Sequence, residues 1–384
     1  MAIPVLLAAT ATKWASPARL PYELSRAGFD VALIAPKEAL VAQSRFVAKF
    51  TPLPDSATPR QWARLLAATV EGRRPRLIIP CDDATLHLLM VFVESPPEDI
   101  EAPVRENLRA LIVESLGEPR HYRASIDKTL LPSAAAALGV RVPPHAVISD
   151  LTTARAFAAA NGYPVVLKRA FGTAGQAVEI VREQAQLEPA FVKLSTDTPT
   201  MQWTTMWTST QLLIQAWLPG RGLLRAVAAW RGVARAGMTR EVLLRSSATG
   251  PSTVVRCRQS REATRFAELL AAGFGVSGFF GPEFIEHERT KEVYLIEINR
   301  RVTNGVQMGG LVGVDLCGAL AAALDGRLHA GRTDIAAGEQ HLIAEFPQEW
   351  LRDPESPHLR SARTDIPWND PAVFRAMVAM RGGH

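Results

Sequence analysis

The chain has 384 residues, 47% hydrophobic and 21% charged, with a formal net charge of +5. That is length for two or three ordinary domains and apolar content for a real core, which excludes a disordered or fibrous chain. No apolar run is long enough to span a bilayer, and the basic residues are scattered without a nucleic-acid recognition motif, so neither a membrane nor nucleic acid is an expected partner.

The first 120 residues alternate strand and helix patterns. Pro4–Ala9 reads as a buried strand, after a start that lacks the basic segment of a secretory leader. Ser16 can cap a helix with Pro17 at its first position, running towards Gly28, although Pro21 argues for a later start. Asp30–Pro36 is the next strand, Gln61–Val70 a helix, and Arg76–Pro80 another buried strand. Cys81-Asp82-Asp83 opens a helix through Leu89. This alternation predicts a parallel sheet with crossover helices, whose ligand crevice is lined by the loops after the strands, here Ala8–Ser16 and Asp82-Asp83. The first loop has no Gly-x-Gly-x-x-Gly, so a dinucleotide fingerprint is absent. One of Asp82 and Asp83 is expected to cap the helix and the other to face a substrate.

Beyond Arg120 the character changes. Ser125-Ile126-Asp127-Lys128 begins a helix through Leu138, ended by Gly139 and blocked by Pro143-Pro144. Thr152–Ala160 is helical and Asn161-Gly162 closes it. Tyr163–Lys168 is a strand ending on a lysine, Phe171–Gln176 a short loop with glycine at 172 and 175, and Ala177–Val181 a returning strand. Such a loop exposes backbone N–H groups and the lysine adds a point charge, which suits a phosphate even though the Walker A spacing is absent. Residues 182–210 hold more helix and a Trp/Thr-rich stretch with no clear placement.

Chemistry is densest at Gly281–Ile285 and Tyr294–Arg301, two apolar runs around the charged turn Glu288–Lys291. The pattern predicts a hairpin centred near Thr290. Strand alternation puts Glu297 and Asn299 on one face, with Glu283 roughly opposite Glu297. Two carboxylates and an amide oxygen then converge between apolar flanks, where bare carboxylates repel and are costly to desolvate. A hard divalent cation answers both problems, and Mg²⁺ typically takes one or two carboxylates plus substrate phosphate oxygens. The hairpin therefore predicts a Mg–nucleotide site, against the ordinary alternative of a sheet edge with solvated acids.

Taken in order, Asp127-Lys128, Val165–Lys168 with Gly172–Gly175, Leu213–Gly220, Gly281–Phe284 and Glu297–Arg301 resemble the ATP-grasp superfamily, in its carbamoyl-phosphate-synthase-like and carboxylate–amine ligase branch. The resemblance covers roughly residues 115–330, and Thr249–Thr253 and Gly309–Asp315 add to it. It implies an α/β fold in which an N-terminal parallel α/β domain (1–120) precedes a two-lobed ATP-grasp fold (121–330, lid lobe about 140–212), with a C-terminal extension at 331–384. It implies ATP with Mg²⁺ or Mn²⁺ as cofactors. Lys128 and Lys168 would contact the α- and β-phosphates, under a closing loop containing Gly172, Thr173 and Gly175. Gln215, Ala216, Trp217 and Leu218 would form the adenine hinge, with backbone bonds from Ala216 and Leu218 and a packing role for Trp217. Glu283, Glu297 and Asn299 would hold the metal, and Arg301 would lie by the transferred phosphate.

The implied activity is an ADP-forming ligase that joins a small-molecule carboxylate to an amine through an acyl phosphate. Biotin-carboxylase-like carboxylation and a nucleotide-binding module without turnover are the alternatives. A homodimer is common among such proteins. The chain departs from the pattern at Gly222, where relatives often carry an acid for the ribose hydroxyls, and at Arg300, where proline is usual and which adds a cation near the site. Arg221, Arg225, Arg240, Arg245, Arg256 and Arg258 hint at an anionic substrate. Cys81, Cys257 and Cys317 match no disulfide or zinc spacing, which makes a reducing cytoplasm the expected location.

Overall fold

The computed structural model describes residues 2–172, 177–196, 209–247 and 250–380. β1 (Ile3–Ala8), β2 (Phe29–Pro36), β3 (Lys49–Leu53) and β4 (Leu77–Pro80) form a parallel sheet in the order β3-β2-β1-β4. β1, β2 and β4 are apolar on both faces because both are covered, while the edge strand β3 is partly exposed. Leu6, Ile34 and Ile78 face the helices Pro59–Arg73 and Asp83–Glu94, packing with Trp62, Leu66 and Leu89. Leu7, Leu33 and Ile79 share a second core with Met238, Val255 and Leu320 from the rest of the chain. This domain is thus clamped to its successor through a common core.

β5 (His145–Ile148), β6 (Val165–Arg169), β7 (Val178–Val181) and β8 (Leu212–Ala216) make a small antiparallel sheet in the order β5-β8-β6-β7. Val165, Leu167, Leu212 and Ile214 pack onto the helices Leu151–Asn161 and Leu187–Thr196. By the two-residue period of a strand, Val166, Lys168 and Gln215 point the other way. The root of this lobe is pinned to the first domain: Ala170 and Phe171 sit in the core of Leu6 and Trp62, and His87 meets the Phe171 ring edge-on at 5.7 Å.

The largest sheet contains β9 (Gly220–Trp230), β10 (Val233–Arg245), β11 (Ser252–Arg258), β12 (Gly278–His287), β13 (Val293–Asn299), β14 (Gln340–Ala344) and β15 (Arg363–Thr364), in the order β13-β12-β9-β10-β11-β14-β15. One face packs Leu223, Val227, Phe280 and Phe284 against Phe266 and Leu270 of helix Arg261–Phe274. The C-terminal segment supplies β14 and β15, so it completes this sheet. No described helix is long and apolar enough to cross a membrane.

Two local expectations are corrected. Ser16 caps nothing: a 3₁₀ turn spans Ser16–Arg19, and the α-helix starts at Leu20 with Pro21 in its first turn. The helix read from Ser125 is two helices, Tyr122–Ile126 and Leu131–Ala137. Buried Asp127 accepts bonds from the N–H and hydroxyl of Thr129, an Asx turn that competes with the helix, and Pro132 is accommodated only in a first turn. Among the elements not anticipated are β3 and the helix Ala102–Leu116 in the first domain, and β5 and the helix Arg261–Phe274 beyond it.

Gly117 ends that helix at φ +96°, bridging to Val276, and a Cβ there would lie 1.9 Å from the Gly275 carbonyl oxygen. Both the backbone conformation and the space demand glycine. Gly117→Ala is expected to destabilise the fold by about 2–4 kcal/mol, read as a lower chemical-denaturation midpoint with an unchanged slope; an unchanged midpoint would contradict this packing.

Candidate functional site

A cavity of about 940 Å³ lies between the three sheets, lined by the inward faces just described and by the Thr10–Ser16 loop. The β12–β13 hairpin forms one wall. Glu283 pairs directly with Glu297, and Gly281 with Asn299. A bulge follows: Phe284 pairs with Leu295, leaving Ile296 as the extra residue. Ile296 and Glu297 therefore both reach the cavity, which strict alternation would forbid.

Burial, then the charge of Glu297, raise the Glu283 pKa, with Arg245 and Arg301 opposing. Burial pushes Glu297 the same way, but Lys128 and Lys168 outweigh it and hold its carboxyl below the usual range. Asn299 bridges the set: its amide donates to Glu283 Oε1 at 2.8 Å, and its Oδ1 accepts from Arg301 at 3.0 Å. The donor set is two carboxylates and an amide oxygen, all hard oxygens, around a like-charged pair. It fits Mg²⁺ completed by phosphate oxygens. No cluster of three Asp, Glu, His or Cys occurs among the described residues, so the protein alone offers no full cage.

The two lysines differ. Lys168 is buried and lines the cavity, and burial pulls its pKa down to about 8, with Glu297 opposing and Lys128 adding repulsion. Lys128 is also buried but does not line the cavity. Its Nζ donates to the Gly172 carbonyl at 2.9 Å and pairs with Glu297 at 3.1 Å. Lys128 thus neutralises the acid and holds the loop root. Gly172 has φ +139°, and a Cβ there would meet the Ala177 Cβ at 2.4 Å. Thr173 and Gly175 lie outside the described residues.

At the other end runs Gln215 to Leu218. The Gln215 amide is buried, and its Nε2 has no hydrogen-bond partner among the described residues. The Ala216 N–H donates to the Pro144 carbonyl at 2.9 Å. The Trp217 N–H goes to Pro164 at 3.2 Å. A ligand at this edge is left with the Gln215 side chain and the Leu218 backbone as donors. Trp217 lines the cavity while 39% exposed, so it is wall as much as packing.

Arg301 joins the hairpin to the first domain. It pairs with Asp83 at 2.9 Å, and its guanidinium lies 4.3 Å from the centre of the Trp14 ring. Asp82 is the cap: it accepts from the Thr85 N–H, and it also gathers the N–H groups of Thr10 and Ala11. Asp82 is thus the capping residue of the pair, and Asp83 lies at the cavity.

Arg300 is a correction. It does not face the site. Fully buried, it donates to Ser125 Oγ at 2.9 Å and to the Leu116 carbonyl at a helix C-terminus, with burial pulling its pKa to about 10. Most of the other arginines are also committed elsewhere. Arg221, Arg256 and Arg258 pair with Glu241, Arg225 with Asp334, and only Arg240 and Arg245 line the cavity. Arg240 is bound at 3.0 Å to Glu345, a buried hub that also accepts from Ser252 and Asn304. Glu345 was missed, as were Pro347, Gln348, Leu351 and Met380, which close the cavity from the C-terminal segment. A glutamate following the apolar Leu342-Ile343-Ala344 was the available signal, since a charge in such a run needs a partner.

Residues 126–305 match the ATP-grasp domain family, and the chain carries an ATP-grasp domain there. A 53-residue stretch is 42% identical to pyruvate carboxylase from Komagataella pastoris, but this is 14% of the chain and 4% of that much longer protein. Among solved structures, the biotin carboxylase of Campylobacter jejuni, an ATP-analogue complex, aligns with a TM-score of 0.66 at 15% identity, over 88% of this chain and 74% of that one. The biotin carboxylase domain dimer of Hydrogenobacter thermophilus 2-oxoglutarate carboxylase, with MgADP and bicarbonate, gives 0.65 at 16% over 88% and 73%. The N5-carboxyaminoimidazole synthase of Aspergillus clavatus, with ADP and an aminoimidazole ribonucleotide, gives 0.63 at 16% over 89% and 81%. At these identities the likeness is one of fold.

Arg300→Ala removes the guanidinium's bonds to the Leu116 carbonyl and Ser125 Oγ and opens a cavity, and should destabilise the fold by about 2–4 kcal/mol while leaving nucleotide affinity at low temperature unchanged. A selective loss of affinity with full stability would instead place Arg300 at the site.

Proposed function

We propose that the protein is an ATP-dependent, ADP-forming ligase that joins a carboxylate to an amine or similar nucleophile through an acyl phosphate. The observation that carries this reading is the meeting, on one cavity, of Glu283, Glu297 and Asn299 with Lys168 and Arg301. Nucleotide and metal in the relatives of the same fold support it. Bound Mg²⁺, held by Glu283, Glu297 and Asn299, would neutralise charge between the terminal phosphates.

The chain's own groups then have distinct tasks. Lys168 supplies a point charge from a dry wall, where it is worth more than in water. Gln215 and Leu218 position the base. Arg301, held between Asp83, Asn299 and Trp14, stands where the nucleotide end of the cavity meets the loop of the first domain. There it can bind the carboxylate that attacks the γ-phosphate, and then the acyl phosphate. The buried walls exclude water that would hydrolyse that intermediate. Bicarbonate is a second candidate for the carboxylate, favoured by its presence beside MgADP in the Hydrogenobacter domain.

Phosphate release from Mg-ATP, with pooled small carboxylic acids and amines and with bicarbonate separately, tests this. Release that requires one pool and falls at least about 100-fold in Glu297→Ala is expected. Release indifferent to that substitution would refute the assignment.

The depressed Lys168 gives a second test. Its folded pKa of about 8 lies below the ordinary 10.5, so the unfolded chain holds the extra proton between these values and the free protein gains stability as pH rises through that window. Phosphate favours the charged form. ADP binding at pH 9 should therefore take up nearly one proton, at pH 6.5 almost none, and Lys168→Arg should abolish the uptake. Calorimetry in buffers of different ionisation enthalpy reads this directly; no uptake at pH 9 in the wild type would separate Lys168 from the phosphates.

A further inference from the structure

Three of the described arginines line the cavity, and they are not equivalent. Arg240 is neutralised by Glu345 and Arg301 by Asp83. Arg245 has no carboxylate at ion-pair distance among the described residues; its Nη1 donates to the Gly250 carbonyl at 3.0 Å. A guanidinium held by one backbone oxygen has most of its five donors left for a ligand.

Its position says which part of a ligand it meets. The chain runs from Leu218 at the hinge straight into β9, where Gly222 pairs with Ile285 and Leu224 with Glu283. Gly222 and Leu224 share a face, as do Ile285 and Glu283, and Leu224, Ile285 and Glu283 line the cavity. Gly222 thus lies midway between the base-binding edge and the carboxylate wall. Because it has no side chain, the space above it is taken by Arg245, whose Nη2 lies 2.9 Å from where a Cβ of residue 222 would be. Between a base at Gln215–Leu218 and phosphates at Glu283 and Lys168, the only part of a nucleotide left to place is the sugar.

We infer that Arg245 is the sugar-contacting, specificity-determining residue of this cavity, donating to the ribose hydroxyl oxygens across the gap that Gly222 leaves. This rests on the adenine-nucleotide reading of the cavity. The polarity of the contact is fixed: a guanidinium has donors and no acceptor, so it holds the ribose oxygens as acceptors, where a carboxylate would take their hydrogens. The planar fork can span two vicinal hydroxyls, which a lysine ammonium cannot match.

The test is a thermodynamic cycle. Dissociation constants of Mg-ADP and Mg-2′,3′-dideoxy-ADP are measured by calorimetry for the wild type, Arg245→Ala and Arg245→Lys. In the wild type, loss of the hydroxyls should weaken binding about tenfold, the scale of one hydrogen bond to a charged group. In Arg245→Ala, ADP itself should weaken about tenfold and the two nucleotides should come within about twofold of each other, the non-additivity of a direct contact. Arg245→Lys should fall between. The nucleotide ratio is taken within one protein, so partial misfolding of a variant cancels.

A tenfold ratio that survives in Arg245→Ala, a wild-type ratio near one, or an ADP affinity unmoved by the substitution would each overturn the assignment. Failure of the wild type to bind ADP at all would overturn it by a different route, through the nucleotide reading itself.

Discussion

Two like-charged side chains, Glu283 and Glu297, face each other across a half-buried hairpin, and their mutual repulsion and partial desolvation organise the surroundings. Buried carboxylates persist only with compensating partners. Those partners come from distant parts of the chain. Lys128 arrives from the turn between two short helices, Lys168 from the small sheet, Arg301 from the end of the hairpin itself, and Asn299 ties the acids to Arg301. The same cations that make the acids tolerable form a positive wall suited to a polyphosphate. Binding chemistry and structural neutralisation are thus one arrangement, with Lys128 on the structural side of it.

The first domain and the C-terminal segment act by holding this arrangement closed. Asp82 gathers Thr10 and Ala11, which brings Trp14 under Arg301, while Asp83 pairs with the same guanidinium. From the opposite side, Glu345 fixes Arg240, Ser252 and Asn304, and Ser16 is bonded to Asn304 in turn. The cavity is therefore built from loops of one domain, strands of another and a terminal segment.

What the sequence disclosed and what it hid divide along contact range. The hairpin was legible because its alternation and turn are local, and symmetry about Thr290 places Glu283 opposite Glu297. Lys168 was legible from its strand end, and the parallel first sheet from its alternation. The bulge at Ile296 was not, since it depends on pairing rather than composition. Arg225 and Arg240 looked like substrate contacts until their partners Asp334 and Glu345 appeared, roughly a hundred residues further on. Arg300 misled for the same reason: a helix end at Leu116 claims it. The turn at Lys128 was hidden by a helix-forming neighbourhood that an Asx turn at Asp127 overrode.

The most direct measurement is Mn²⁺ binding followed by electron paramagnetic resonance, with and without ADP, in the wild type and in Glu283→Gln and Glu297→Gln. Two carboxylates and an amide oxygen make an incomplete cage, so Mn²⁺ alone should bind weakly, ADP should tighten it, and each substitution should cost at least about tenfold. Equal binding of Mn²⁺ and ADP by the wild type and both variants would contradict a metal–nucleotide site at this hairpin.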